Sequence, residues 1–147
     1  MEENNNEIKY DADYGETYRR LLNELALVAF IKSNKRTRFM LATRNLRIAN
    51  LMWPDNNLKY LLNGFDYRCN IHNKNLAVID LMIGDCRSFN TDRVTDIRWL
   101  GEITDINTLN NILEQVDNIC TEASNNLGYS VLGGNDAFIK KPSIVSF

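Results

Sequence analysis

The residues best suited to chemistry in this chain are cations. Lys32, Lys35, Arg36, Arg38, Arg44 and Arg47 stand between Leu25 and Pro54, and no Asp or Glu interrupts them. Phe39 and Trp53 fall in the same span. Cations neutralise phosphates, and flat side chains stack on bases. Arginine does both, as a fork of donors and as a planar surface. The pattern points to a nucleic-acid or nucleotide-like ligand. Arg87, Arg93 and Arg98 lie further along and converge on the same patch in a small folded sheet. The competing reading makes Phe39, Phe89 and Trp99 core residues and lets an acidic downstream helix cover the cations.

Groups that break or transfer bonds are sparse. His72 is the sole histidine, and no nucleophile-elbow serine, phosphate-binding loop or dinucleotide glycine pattern occurs. Cys69 and His72 have the spacing of one zinc knuckle, with Cys86 and Cys120 as distant partners. Structural zinc sites usually show two such pairs, so small buried cysteines and a loop histidine are the simpler account. Asp80, Asp85, Asp92 and Asp96 cluster in sequence. Asp85 suits a turn, and Asp92 and Asp96 stand beside arginines, as local ion pairs do. The expectation is a binding module without catalytic residues, metal or cofactor.

The chain's 147 residues suit one domain, and a hydrophobic share of 44% supports one core. Residues 1–12 read as a polar tail, 13–128 as the domain and 129–147 as a second tail. No apolar run reaches membrane length, and the opening MEENNNEIKY is unlike a secretory leader. Three scattered cysteines argue against a disulfide framework, which fits a cytoplasmic setting. The net charge of −2 conceals a segregation. From Gly101 to Ile139 there is no Lys or Arg, while Glu102, Asp105, Glu114, Asp117, Glu122 and Asp136 are all acidic. Asp105, Glu114, Asp117 and Glu122 therefore define a second candidate surface, one that meets a basic partner protein.

The elements that position these residues follow from spacing. Asp13 caps a helix over Tyr14 to Glu24. Leu25 to Lys32 is apolar on both faces and reads as a covered strand. Thr37 to Arg44 alternates, which puts Phe39 and Leu41 on one face and Arg38, Met40, Ala42 and Arg44 in an outward row. Leu46 to Leu51 continues the apolar character up to Trp53-Pro54-Asp55. Asn57 to Leu62 reads as a helical turn and Phe65 to Ile71 as a strand. Leu76 to Ile83 reads as a strand closed by a two-residue turn at Gly84-Asp85. Beyond it Arg87, Phe89, Thr91 and Arg93 alternate with Cys86, Ser88, Asn90 and Asp92. Val94 to Leu100 follows, with Ile97 and Trp99 opposite Val94 and Leu100. Thr104 or Asp105 caps a long helix whose stripe is Ile106, Leu109, Leu113, Val116, Cys120, Ala123 and Leu127, with Gly128 as its C-cap. Gly133-Gly134 reads as a turn, and Ser143 to Phe147 as an edge strand or a loose end.

Arg87, Phe89, Arg93 and Val94, after the apolar run and the Gly84 turn, resemble the strand-turn-strand signature of WYL-type domains. Arg38, Met40 and Thr43 are similar to the first hairpin of the short phage-encoded branch of that group. The likeness covers roughly Leu25 to Leu100, and the Trp-Tyr-Leu tripeptide that names the family is absent. The resemblance implies an α+β fold: a small SH3/Sm-like β-barrel of about five strands, a short N-terminal helix and a long C-terminal amphipathic helix. It also implies a nucleic-acid or nucleotide-like ligand at the matching cations Arg38, Arg87 and Arg93, to which the charge pattern of the hairpin adds Lys35, Arg36, Arg44 and Arg47 as candidate ligand-binding residues. Exposed strand edges suit a homo-oligomer. In a phage setting the alternative is a host-directed inhibitor or adaptor that binds a host protein through the acidic helix or the barrel edge. No membrane partner is expected.

Overall fold

A computed structural model of the chain describes residues 13–32, 35, 37–56, 58 and 69–127, the last five by backbone alone. Several expectations lie outside these residues: the tails, Arg36, most of the turn at 57–62, the strand at 65–68, the Gly128 cap, Gly133-Gly134 and the edge strand at 143–147.

The first helix, α1 (Tyr14–Leu21), starts where Asp13 accepts the Glu16 N–H at 3.1 Å. It ends as the Leu22 and Asn23 N–H groups turn back to Arg19 and Arg20 carbonyls. The chain then enters β1 (Leu25–Ile31) and returns as β2 (Thr37–Thr43). A second helix, α2 (Leu46–Met52), follows at once. Next come β3 (Asn75–Asp80), β4 (Asp85–Asn90), a 3-10 turn (Thr91–Arg93), β5 (Val94–Gly101) and the long α3 (Ile106–Leu127). The five strands make one antiparallel sheet in the order β4-β3-β2-β1-β5. The fold is α+β, and among the described residues no helix is long and apolar enough to cross a membrane.

The sheet is strongly curled. β4 and β5 are its opposite edges, yet only Thr91–Arg93 separates them. A flat sheet would hold these edges about 19 Å apart at ~4.8 Å per strand. Phe30 of β1 stacks on Phe89 of β4 with ring centroids 6.1 Å apart, although two strands intervene in the sheet order. Two register shifts in the β1–β5 ladder, at Leu25/Ala26 and at Ala29/Phe30, add to the coiling. No ladder joins β4 to β5 among the described residues, so the sheet is open where a closed barrel was expected.

Each face of the sheet has its own core. On one face Leu25, Leu27, Ala29, Phe39, Leu41, Ala77 and Ile79 pack under α2 and α3, which contribute Ile48, Met52, Leu109, Leu113, Val116 and Cys120. On the other, Ala26, Val28, Phe30, Met40, Ala42, Leu76, Val78 and Phe89 pack against Tyr14 and Leu21 of α1. Each fully buried Leu or Ile contributes roughly 1.5–3 kcal/mol. β1 is covered on both sides, as its unbroken apolar run predicts.

Several expectations are corrected here. The row Arg38, Met40, Ala42 and Arg44 does not face outward, because α1 lies over that side and buries Met40, Ala42 and Arg44. Leu46–Met52 is a helix because Asn45 accepts the Arg47 and Ile48 N–H groups at 2.9 and 3.1 Å. The β3 strand stops at Asp80, not Ile83, and the turn holds four residues, Leu81 to Gly84. Its reversal is fixed at Asp80, whose carbonyl accepts the Ile83 and Gly84 N–H groups. The alternation of Arg87 to Arg93 breaks at Thr91, where Asn90 accepts the Asp92 N–H at 2.8 Å and starts the 3-10 turn. The second register shift puts Val94 on the same core face as Ile97 and Trp99.

Asn45 also donates from Nδ2 to the Leu22 carbonyl at 3.0 Å, so it ties α2 to the end of α1. Asn45→Ala is therefore expected to destabilise the fold by about 1–2 kcal/mol, read as a lower urea midpoint with an unchanged slope.

Candidate ligand-binding surface

The structure divides the predicted cations into three groups. Arg44 is structural. It is buried, its Nε donates to the Ala77 carbonyl at 3.2 Å, and its guanidinium lies 4.1 Å above the Tyr18 ring. Arg47 is exposed on α2, beneath the other face of the sheet. Lys35, Arg38, Arg87 and Arg93 remain. Lys35 is exposed at the tip of the β1–β2 hairpin with φ of 71°. Arg38 pairs with Phe30 across β1–β2, and Val94 pairs with Phe30 from the other side. Arg93, exposed and one residue before Val94, thus lies at the same end of β1 as Arg38.

Arg38 and Arg87 are the centre of this group. Both are half-buried, and neither is in an ion pair among the described residues. Burial holds the Arg38 guanidinium below its usual range, and the positive charge of Arg87 lowers it further, with Asp80 opposing. Two like charges held near each other in a partly dry setting are stabilised by an anion that bridges them. Phosphate oxygens suit such a fork.

Asp80 lies with them and is 0% exposed. Its Oδ1 accepts the N–H of Met82 at 2.9 Å and of Leu41 at 3.2 Å. Its Oδ2 has no hydrogen-bond partner among the described residues. Burial drives its pKa up to about 7, against the pull of those two N–H groups and of Arg87 and Arg38.

The acidic helix does not cover these cations. α3 packs through Leu109, Leu113, Val116 and Cys120 on the face opposite α1. Of its acidic residues, Glu114 and Glu122 are exposed and Asp117 is half-buried. Asp105 serves as the cap: it accepts the Thr108 N–H at 2.8 Å and the Thr108 hydroxyl at 3.0 Å. Those bonds hold its carboxyl below the usual carboxylate range.

The aromatic residues of the basic span are not stacking platforms. Phe39 is core, and Trp53 donates from Nε1 to the Leu81 carbonyl at 2.8 Å. Trp99 already lies 4.0 Å beneath the Arg20 guanidinium, which is itself paired with Glu24 at 2.9 Å. Asp96 pairs with Arg98 at 3.3 Å, one of the local ion pairs read from the sequence. The Cys69 thiol accepts the Ala77 N–H, His72 is exposed, and Cys120 is buried on the core-facing side of α3. Among the described residues no three His, Cys, Asp or Glu side chains gather as a metal site.

A separate cleft of about 380 Å³ opens beside α2. Its walls are Asn23 before β1, Asn45, Arg47 and Asn50 on or before α2, and Glu102 and Thr104 between β5 and α3, with Ile48, Leu51 and Ile103 as apolar lining. Sequence reasoning placed Arg47 among the ligand cations but missed the rest of this cleft and the burial of Asp80. The one available signal for Asp80 was a carboxylate inside the apolar run LAVIDLMI.

No protein-family model, curated protein or solved structure matches this chain.

Proposed function

We propose that this chain is a non-enzymatic binding module, an incompletely closed relative of the small Sm-like barrels of the WYL type, that holds a nucleic acid or nucleotide-like ligand by its phosphates. The observation that supports it is that the like charges of Arg38 and Arg87 act on each other on the Phe30–Val78 face of the sheet, free of ion pairs among the described residues and away from the acidic α3. Lys35 and Arg93 extend the cationic rim, and Arg44 drops out of the ligand set because it is committed to Ala77 and Tyr18.

The test is anisotropy of labelled single- and double-stranded oligonucleotides across a salt series. Affinity is expected to fall steeply between about 50 and about 200 mM salt. Arg38→Gln with Arg87→Gln is expected to weaken binding roughly tenfold or more and to reduce the salt slope by about two. Absence of binding at low salt removes this reading. A second reading, a regulator that binds a partner protein, is favoured by the exposure of Glu114 and Glu122 on α3. Under it, Glu114→Lys abolishes capture of a protein partner and leaves oligonucleotide binding at background.

A further inference from the structure

The cleft beside α2 has no part in phosphate binding at the Arg38–Arg87 rim, yet it is furnished for a ligand. Arg47 and Glu102 both line it, one from α2 and one from the link between β5 and α3. Neither side chain is engaged in an ion pair or hydrogen bond among the described residues. An acid and a base that share one cavity without neutralising each other offer a ligand two opposite hydrogen-bonding characters. Arg47 only donates, and Glu102, when ionised, only accepts. Asn23, Asn50 and Thr104 add groups that do either, and Ile48, Leu51 and Ile103 offer apolar surface.

We propose that this cleft holds a guanine base. Among the common bases guanine alone carries two adjacent donors on one edge, N1–H and the N2 amino group, and two adjacent acceptors on another, O6 and N7. A carboxylate matches the first edge, and an arginine fork matches the second. Adenine lacks the paired donors, and cytosine has only one amino donor. The lining carries one positive and one negative side chain, which suits a neutral, hydrogen-bond-rich ring rather than a phosphate. The volume of about 380 Å³ is within the usual range of small-molecule pockets and admits a nucleoside. This assignment rests on the reading of the chain as a nucleic-acid or nucleotide binder and adds to it a base site remote from the phosphate rim, at the other end of β1.

The experiment titrates the full chain with guanosine, adenosine and cytidine, followed by amide chemical shifts and calorimetry. Guanosine is expected to bind at least tenfold more tightly than the other two, with shifts centred on Asn23, Asn50 and Glu102. Glu102→Gln puts an amide donor against N1–H or N2–H and is expected to lower guanosine affinity roughly 10-fold or more, with adenosine unchanged. Arg47→Lys keeps the charge, loses the fork and is expected to lose affinity to a similar degree. Both residues are exposed, so thermal unfolding of each variant is expected to match the parent. Equal affinity for the three nucleosides, no guanosine binding at millimolar concentration, or an unchanged affinity in Glu102→Gln overturns the assignment. If oligonucleotides bind with steep salt dependence while guanosine does not, the cleft assignment alone falls. If guanosine binds and oligonucleotides do not, the cleft assignment stands and the phosphate rim falls.

Discussion

Gly84→Ala is expected to destabilise the fold by about 3–5 kcal/mol. Gly84 has φ of +71°, a left-handed conformation that L side chains rarely adopt. An added Cβ would also lie 2.5 Å from Cδ2 and 2.7 Å from Cε3 of Trp53, and 2.7 Å from Nδ2 of Asn56. Neither neighbour is free to retreat. Trp53 is pinned by its bond to the Leu81 carbonyl, and Asn56 donates to the Gly84 carbonyl itself at 2.8 Å. Gly101 supplies the control. Its φ is +88°, but nothing lies within 4 Å of an added Cβ. Gly101→Ala is expected to cost only the backbone strain, about 1 kcal/mol. Urea unfolding of both variants checks the pair, and equal losses would mean that the contact with Trp53 is not rigid.

The second large effect is on pH. Burial pushes the folded-state pKa of Asp80 up to about 7, from the ordinary aspartate value of 3.8. The folded chain therefore holds a proton that the unfolded chain has already released. Stability from this group is fully present below about pH 4 and is lost as pH rises through about 7. The size is on the order of a few kcal/mol. Asp80→Asn keeps an acceptor for the Met82 and Leu41 N–H groups and cannot ionise. Its stability is expected to be flat over the interval where the parent declines, so the two curves diverge between about pH 4 and about pH 7 and run parallel above that. Parallel curves across that interval, from thermal or urea unfolding, would show that Asp80 does not set this slope. Asp80→Ala strands both N–H groups and is expected to destabilise at every pH.

The parts of this fold that were legible in the sequence are those with one dominant local signal. Asp13 before an apolar rhythm gave α1, and the stripe Leu109, Leu113, Val116, Cys120 gave α3 and its buried face. β1 was legible because a run that is apolar on both sides needs cover on both sides. β2 misled for the same physical reason. Its alternation of Arg38, Met40, Ala42 and Arg44 resembles a half-exposed strand, but α1 covers that side too. Arg44 survives burial through a carbonyl and a tyrosine ring that no local spacing announces. α2 was missed because seven residues hold too few turns to show a period, and Asn45 was its only marker. The β3 end was missed because Leu81 and Met82, apolar and buried, sit in a turn. The rim was legible as charge, and its centre, Arg38 beside Arg87, depends on the curl of the sheet. The cleft was not legible, since Asn23, Arg47 and Glu102 come from three distant segments.

The division of the interior into two layers also gives the molecule two optical reporters. Trp53 belongs to the layer beneath α2 and α3, and Trp99 to the layer beneath α1, where a guanidinium covers its ring. A chain that keeps one indole at a time emits from one layer at a time. Loosening of the amino-terminal helix and loosening of the carboxy-terminal helix thereby become separate colour changes in the same polypeptide.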